Sequence, residues 1–446
     1  MANPSLQEYL SKSEKGMMSN VFGPDYLKKQ SYFTVDTATG IFNATYGKKV
    51  WQGLNNQTRF FNAIPRTVWG SSAGWRVRTD RGSQRSRPVT ETGSLPTVDI
   101  SNIETISSLP RIVGTTFGAS VKSIFSSGLE GGVGDVLALE AEQASTDHAK
   151  EINEELLASS AMITSAGATT TFTVPASMAS SFKIGDAVAQ YDVSATGHDR
   201  QTGSVVSAVN TSTGVVTVAT GTTFADGDIA YIYSRAGLTS IDDLVMRDGA
   251  EVGNQTSRVR AYDLSINTRT AGGWSAGASV QYNGGTGRAL SLQLIDNCIQ
   301  AIRENGGNPN LIVCGHDQYY ALERLLNSSQ RYMGVEEVVV GVGQEKTFPG
   351  TRTGLTLATY QGIPIIPDAD VAKSVSTSDA VLGSNLYVLD TSALEVAVAQ
   401  PTTYVENRDF YAANSLVVRG LIYTMAELRC YNMAIQAKIA DLTKIS

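Results

Sequence analysis

The chain has 446 residues, of which 42% are hydrophobic and 17% are charged, and 35 basic against 42 acidic residues give a formal net charge of −7. This length predicts roughly two to four folding units, and the acidic balance excludes nucleic-acid binding through a general excess of positive charge. No apolar run approaches the ~20 residues of a membrane helix, the N-terminus has no signal-peptide pattern, and three scattered cysteines do not suit a disulfide framework.

Residues 1–62 are predicted to form an extended arm. Helical and strand periods are weak in this segment, yet aromatic residues recur through it, from Tyr9 to Phe61. Disordered tails are usually poor in aromatic residues. The arm is therefore expected to bury its aromatic side chains, either on its own chain or on a neighbouring copy.

Residues 63–118 predict a long β-hairpin. Apolar and polar residues alternate at residues 75–79, a polar tip rich in Gly, Ser and Asp follows, and a return run leads to Val89. The tip is too polar to pack on a core. Five arginines stand on this loop, namely Arg76, Arg78, Arg81, Arg85 and Arg87.

Residues 135–161 predict one long helix with Asp135 as its N-cap. Apolar residues recur at steps of three and four from Val133 to Ile163, which marks a single buried stripe. The rest of the helix surface is acidic. Its candidate contact residues are Glu140, Glu142, Asp147, Glu151 and Glu154.

Three interpretations of the arginine loop remain open: pairing with an acidic surface, a solvated hairpin tip, and contact with nucleic-acid phosphates. A hairpin cannot easily fold back onto a helix that follows it so closely. The favoured interpretation therefore places the arginines against the acidic helix of a neighbouring copy, where complementary charges set specificity.

Residues 164–236 look like an insertion. Their composition is dominated by Thr, Ser, Gly, Val and Ala, with Lys183, Arg200 and Arg235 as the only basic residues. Short β-rich runs at residues 171–174, 187–191, 203–209, 214–218 and 229–233 alternate with turn signals. This spacing predicts a small β-sandwich or barrel looped out of a host domain.

The remaining sequence indicates mixed α/β structure. A helix lined by Leu290, Leu294, Cys298 and Ile302 ends at a Gly-Pro stop and leads into a buried strand at residues 311–314. A second helix starting at Asp317 follows. Further strands are predicted at residues 362–368, 386–389 and 394–398, and long strands fill the stretch from 416 to 439.

The sequence contains no metalloprotease, nucleophile-elbow or phosphate-loop motif. The candidate metal ligands Asp226, Asp228, Asp368 and Asp370 are read as turn aspartates. His148 falls on the apolar stripe of the long helix, where a packed or interface role is favoured. His316 lies between a strand and a helix without an identifiable catalytic partner. No catalytic residue, metal site or cofactor is predicted, and the chain is not expected to be an enzyme.

The order of these segments resembles the coat protein of tailed double-stranded DNA phages, the Hong Kong 97-like family. Residues 90–96 (TETGSLP) resemble the return of the family's extended loop, and residues 135–161 resemble its spine helix. Further similar segments are residues 237–243, 269–274, 306–313 with Tyr319 to Leu322, and 362–365 (GIPI).

The resemblance implies an α+β fold of the Hong Kong 97-like type with an inserted all-β domain. It implies this division of the chain: an N-terminal arm (1–62), the extended loop (63–118), the spine helix and peripheral domain (119–163), the insertion (164–236), more peripheral domain (237–288), the axial domain (289–400), and C-terminal peripheral strands (401–446).

The resemblance also implies a major capsid protein whose copies assemble, through pentamers and hexamers, into an icosahedral virion shell around DNA that is not read by sequence. Implied partners are a portal, a separate scaffolding protein and a decoration protein, with assembly in the host cytoplasm. Some family members weld their loops by a lysine–asparagine bond, but residues 50–121 contain no lysine, so none is expected here. The alternatives are an encapsulin-like nanocompartment shell, and a carbohydrate-binding protein or enzyme.

Overall fold

The computed structural model describes residues 58–444, and it leaves out residues 71–73, 80–87, 90, 94, 96–100, 128–135, 158–160, 164–169, 193–197, 221–225, 235, 246–258, 261, 263, 266–273, 285, 329–358, 377–379 and 408–415. The described chain falls into two compact units. The smaller includes Gly114–Ala149 and Thr402–Tyr423, and the larger includes Gln57–Val113, Lys150–Pro401 and Thr424–Ser446. Arg81, Arg85, Arg87 and most of the N-terminal arm lie outside the described residues.

The N-terminal half of the described chain contains short helices, a hairpin, one long helix and the strands of the insertion. In chain order these elements are α1 (Arg59–Ala63), β1 (Arg66–Val68), β2 (Gly74–Arg78), β3 (Ile103–Ser107), β4 (Arg111–Ser120), α2 (Val121–Ser127), α3 (Val136–Leu157), β5 (Ala161–Ile163), β6 (Thr171–Thr173), β7 (Ala187–Asp192), β8 (His198–Asn210), β9 (Val215–Val218) and β10 (Ile229–Ser234).

The C-terminal half alternates helices and strands before it ends in long strands. Its elements are α4 (Ile241–Leu244), β11 (Val259–Arg260), β12 (Leu264–Ser265), β13 (Ser279–Gln281), α5 (Leu292–Glu304), β14 (Leu311–Cys314), α6 (His316–Ser328), β15 (Thr359–Tyr360), β16 (Ile363–Pro367), β17 (Lys373–Ser376), β18 (Ala380–Ser384), β19 (Leu386–Leu389), β20 (Leu394–Asn407), β21 (Val417–Cys430) and β22 (Ala437–Ile439).

The long helix is α3, and its 22 residues span ~33 Å. Ala144, His148, Ile152 and Leu156 are buried at successive steps of four, as the apolar stripe predicted. The helix ends at Leu157, whereas the stripe extended it to residue 161. The last apolar residues of the stripe belong to a strand instead of the helix, because β5 begins at Ala161 and pairs with β10.

The two longest strands, β20 and β21, lie in the middle of a four-stranded sheet with the order β1-β20-β21-β4. β1 runs parallel to β20, with Arg66 opposite Val396. In the larger unit, a hydrophobic core gathers residues from α1, α3, α4 and the strand ends, including Phe60, Ile152, Leu156, Leu238, Ile241, Leu389 and Leu428.

The insertion contributes five strands to a six-stranded sheet with the order β5-β10-β7-β8-β9-β6, in which β5 lies just before residue 164. Each of the five β-rich runs noted in the sequence overlaps one of these five strands, and the runs at 171–174 and 214–218 each exceed their strand by one residue. Their inward-facing residues build a separate core around Phe172 and Phe182, whose rings meet edge to face at 5.7 Å between centroids. The alternation of small β-branched residues with Gly turns was a sufficient signal for these strands.

A second six-stranded sheet, with the order β13-β22-β19-β14-β16-β15, packs against α5 and α6 around a core of buried aliphatic residues. Strand β22 lies between β13 and β19 in this sheet. Residues 437–439 therefore pair with β13 of segment 237–288 on one side and with β19 of segment 289–400 on the other. Residue patterns identify a strand but not its partner.

The hairpin is longer than the sequence indicated. β2 pairs with β3, which places Arg76 opposite Thr105 and Arg78 opposite Ile103. The return strand therefore begins at Ile103, and the run that ends at Val89 is not the partner of β2. Two more two-stranded sheets, β11-β12 and β17-β18, complete the fold. Among the described residues, no helix is both long and apolar enough to cross a membrane.

Candidate assembly interface

The hairpin is exposed along most of its length. Arg76 and Arg78 on β2 are exposed, and on β3 only Ile106 is buried. Ile103 is 56% exposed although it is apolar. An isolated two-stranded hairpin is marginally stable in water, so a surface that covers these residues would stabilise the hairpin.

The base of the hairpin packs on the body of its own chain through Trp75. The Trp75 ring meets Tyr262 and Tyr431 edge to face, with centroids 4.9 Å and 5.5 Å away. A Cβ atom at Gly74 would lie 1.9 Å from the carbonyl oxygen of Ile106, so only glycine permits this close strand pairing. The base is thereby held while the rest of the hairpin extends beyond it.

The acidic residues of α3 fall into two groups. In the smaller unit, Glu142 and Asp147 are exposed and Glu140 is half-buried. In the larger unit, Glu151 and Glu154 already have a partner in their own chain, because the ammonium group of Lys183 lies 2.8 Å from Glu151 Oε1 and 3.8 Å from Glu154 Oε2.

Lys183 therefore connects the insertion to the long helix. Burial alone would lower the pKa of Lys183, but the negative charges of Glu154, Glu151 and Glu155 outweigh burial and raise it. Sequence reasoning missed this role. The available signal was that Lys183 is one of only three basic residues in segment 164–236.

The aspartates considered as metal ligands have structural partners. Asp368 is fully buried and accepts hydrogen bonds from the backbone N–H of Phe60 at 3.2 Å and from the side-chain amide of Asn153. Burial raises the pKa of Asp368, opposed by these hydrogen bonds. Lys150 pairs with Asp370. These contacts join α1 and α3 to the end of β16.

Asp228 is buried and accepts a hydrogen bond from the side-chain amide of Gln190. Asp226, two residues earlier, is exposed. Across the described ranges, no group of three or more His, Cys, Asp and Glu side chains could hold a metal ion. Of the histidines considered, His148 is buried and its Nδ1 lies 3.0 Å from Thr115 Oγ1.

Three buried ionisable side chains, Glu427, Asp242 and Lys438, were not foreseen from the sequence. Glu427 on β21 is 2% exposed, and burial raises its pKa to about 7 although hydrogen bonds from Thr239 and the charge of Arg111 oppose the shift. Asp242 on α4 lies 2.7 Å from the ammonium group of Lys438 on β22, and both side chains are buried. Each pair joins elements that are distant in sequence.

A three-dimensional comparison now identifies the fold. The chain is similar to a protein of the cyanophage A-1(L) capsid asymmetric unit, with 15% identity, a TM-score of 0.52, and coverage of 89% of this chain and 96% of the other. Two further similar structures are the capsid of an empty GTA particle (8% identity, TM-score 0.47, coverage 89% and 94%) and the SrpI encapsulin complex of Synechococcus elongatus (10% identity, TM-score 0.45, coverage 91% and 94%).

The fold is the α+β Hong Kong 97-like coat-protein fold. Residues 33–443 match the family described as SU10 major capsid protein, and the chain belongs to that family. It is accordingly a structural protein of which many copies form a virus shell. The search of curated proteins returned no match.

Proposed function

We propose that the chain assembles through pentamers and hexamers into an icosahedral shell that encloses double-stranded DNA, within the virion. The observation that carries this proposal is the β2–β3 hairpin, whose Arg76, Arg78 and Ile103 side chains are exposed in the described part of the chain. Large interfaces between copies would bury such segments and supply the association free energy that a closed shell requires.

The test is negative-stain electron microscopy of the purified chain, with sedimentation velocity on the same sample. Uniform polyhedral shells, or soluble pentamers and hexamers, are the expected result. A monomer that forms no particles at any concentration or salt, even when co-expressed with a scaffolding protein, would contradict the proposal.

We further propose that the loop arginines pair with α3 of a neighbouring copy. The exposed positions of Arg76 and Arg78, and of Glu142 and Asp147, support this pairing. At ~100° per residue, Glu140 and Asp147 lie on one face of α3 and Glu142 lies on the opposite face. Glu151 and Glu154 would share their charge with Lys183. Opposite charges across an interface steer association and fix its register.

Replacing Arg78, Arg81 and Arg85 by glutamate is expected to block assembly while the subunit stays folded. The matched control replaces the same three residues by lysine, which keeps the charge, and should still assemble. Normal shells from the glutamate variant would instead favour the interpretation in which the arginines lie on a solvated hairpin tip. Shells that form but fail to retain DNA would indicate contact with phosphates instead.

Membership in a capsid family supports three further proposed partners of the shell. A portal, a separate scaffolding protein and a decoration protein are proposed to join the shell, which would assemble in the host cytoplasm, and the insertion is proposed to lie on its outer surface. Co-purification of particles with these components, followed by mass spectrometry, tests each of the three partner proteins.

The absence of lysine from residues 50–121 supports a shell without covalent links between loops. A ladder of covalently joined subunits on a denaturing gel would contradict this proposal.

A further inference from the structure

Three buried hydrogen-bond donors at the base of the hairpin have no acceptor among the residues that the structure describes. Arg429 on β21 is 6% exposed, and its Nε and Nη2 atoms have no hydrogen-bond partner within the described parts of the chain. The indole Nε1 of Trp75 on β2 is also buried there without a partner. Buried N–H groups in native proteins nearly always have an acceptor, so a cluster of three such donors requires an explanation.

The Arg429 guanidinium group lies over two indole rings. Its Cζ atom lies 3.8 Å from the Trp69 ring centroid and 5.7 Å from that of Trp75. The hydroxyl of Tyr262 donates to the carbonyl of Leu428 and accepts from the N–H of Cys430 at 2.9 Å. These two hydrogen bonds hold the Tyr262 side chain against β21 at the residues before and after Arg429.

The edge of the guanidinium group that carries Nε and Nη2 is left without an acceptor by this packing. These two N–H groups point in parallel and match the two oxygens of a carboxylate in a bidentate hydrogen-bonded pair. The indole N–H of Trp75 supplies a third donor in the same cluster. We propose that Arg429 and Trp75 form a carboxylate-binding site, which an acidic side chain of a second copy of this chain fills in the assembled shell.

This inference rests on the proposed function, because a second copy supplies the carboxylate. The chain carries 42 acidic residues, so neighbouring copies present many carboxylates. The donors are inaccessible to solvent in the single chain, and a slender side chain can reach them more readily than a phosphodiester flanked by sugars. Among the described strands, β2 pairs only with β3. The ring contacts of Trp75 with Tyr262 and Tyr431 hold the base of the hairpin, but no sheet hydrogen bond joins β2 to the described strands of the body, so the Trp75 side chain can change its position.

Occupancy of the site and the position of the hairpin are consequently coupled. When the carboxylate enters, Trp75 must move so that its indole N–H reaches the carboxylate. Because Trp75 lies at the start of β2, this movement also sets the position of the first residues of the hairpin. Trp75→Phe removes this donor but keeps an aromatic ring between Tyr262 and Tyr431. Trp274→Phe is the matched control, because it replaces a half-buried indole of the larger unit and removes none of the three donors.

The experiment measures the protein concentration at half-maximal assembly by sedimentation velocity, with subunit folding followed by circular dichroism. Trp75→Phe is expected to raise this concentration at least several-fold, and Trp274→Phe to change it less than twofold. Arg429→Lys keeps the charge but loses the two-donor edge, and it should reproduce the Trp75→Phe defect. Assembly of both variants at the wild-type concentration would overturn the proposal.

A map of wild-type particles by cryo-electron microscopy tests the site without any substitution. The expected result is an Asp or Glu side chain of a second copy within hydrogen-bond distance of Arg429 Nε and Nη2. Density for a DNA phosphate, for water alone or for a group of the same chain would overturn the proposal. Failure of the wild-type chain to form particles under any condition would contradict the proposed function itself.

Discussion

The Nζ atom of Lys183 lies 2.8 Å from the Oε1 atom of Glu151. This ion pair joins the inserted β-domain to the long helix, and Glu154 adds a second carboxylate at 3.8 Å from the same Nζ atom. The lysine side chain is 21% exposed and that of Glu151 is 35% exposed, so solvent screens part of the attraction. The contact therefore orients the insertion more than it stabilises the whole chain.

Replacing Lys183 by alanine is expected to reduce stability by only about 0.5–1 kcal/mol, because a partly exposed ion pair contributes little. Hydrogen exchange of the insertion strands and of the last turns of α3 should become faster. A double-mutant cycle with Glu151→Gln, measured by urea unfolding of unassembled subunits, isolates the pair. Lys444→Ala serves as the control, since Lys444 is exposed and has no ion pair among the described residues. Additive effects of Lys183→Ala and Glu151→Gln on the free energy of unfolding would contradict a direct interaction between the two side chains.

Burial of Glu427 leads to a prediction about how the stability of the chain depends on pH. Its pKa in the folded chain is about 7, compared with 4.5 for the ordinary group. Between these values the folded state binds more protons than the unfolded state, so the free energy of unfolding should fall as the pH rises from about 4.5 to about 7. The pKa difference corresponds to a total contribution on the order of 3 kcal/mol.

Glu427→Gln removes this titration and leaves an acceptor for the N–H of Thr239, which lies 2.8 Å from Glu427 Oε1 in the native chain. The variant should gain stability over the wild type progressively from pH 5 to pH 8 in urea unfolding. Glu142→Gln removes a carboxylate from an exposed helix position and is the control. A wild-type-to-variant difference that stays constant across this range would show that Glu427 does not titrate there.

The sequence allowed much of the fold to be predicted, because its local patterns are strong. The insertion strands follow from alternation between Gly turns, and α5, β14 and α6 follow from an apolar stripe, a Gly-Pro stop and a buried run. The partner strand of β2 could not be predicted in the same way. β3 lies about twenty-five residues further along the chain, and residue alternation does not specify register.

The candidate interface was predictable only in its exposed part. The arginines and the acidic helix residues form local clusters of like charge that are visible in the sequence. The contacts of Lys183, Glu427 and Arg429 join residues far apart in the chain. A single basic or acidic residue among apolar neighbours carries no signal of which residue it contacts, so these contacts required the three-dimensional structure.

The buried ion pair between Asp242 and Lys438 should be sensitive to the loss of either charge. Lys438→Met leaves the Asp242 carboxylate buried without its cation, which typically costs about 3–5 kcal/mol. The hydroxyl of Tyr387 still donates to Asp242 at 2.8 Å in the native geometry. Adding Asp242→Asn removes the uncompensated charge and keeps an acceptor for Tyr387. Thermal unfolding should therefore rank the double variant above Lys438→Met, and the reverse order would contradict this account.

Two turns of the insertion provide a matched pair of glycine substitutions. Gly214 and Gly227 both have positive φ angles, +76° and +84°. A Cβ atom at Gly214 would lie 2.0 Å from the carbonyl oxygen of Val174, whereas at Gly227 it would meet nothing within 4 Å. Each alanine substitution therefore incurs the backbone strain of the left-handed region, ~1–2 kcal/mol, but only Gly214→Ala adds a collision with the backbone.

The collision also affects a specific hydrogen bond. The N–H of Val174 donates to the carbonyl of Gly214 at 2.9 Å, which joins the end of β6 to the start of β9. Moving the backbone to accommodate a Cβ atom at Gly214 would lengthen this bond and expose the edge of the core around Phe172. Gly214→Ala should therefore lower the unfolding temperature of the insertion clearly more than Gly227→Ala, with faster amide exchange at Val174. Equal effects of the two substitutions would mean that the turn relaxes freely and that the close approach to Val174 does not constrain it.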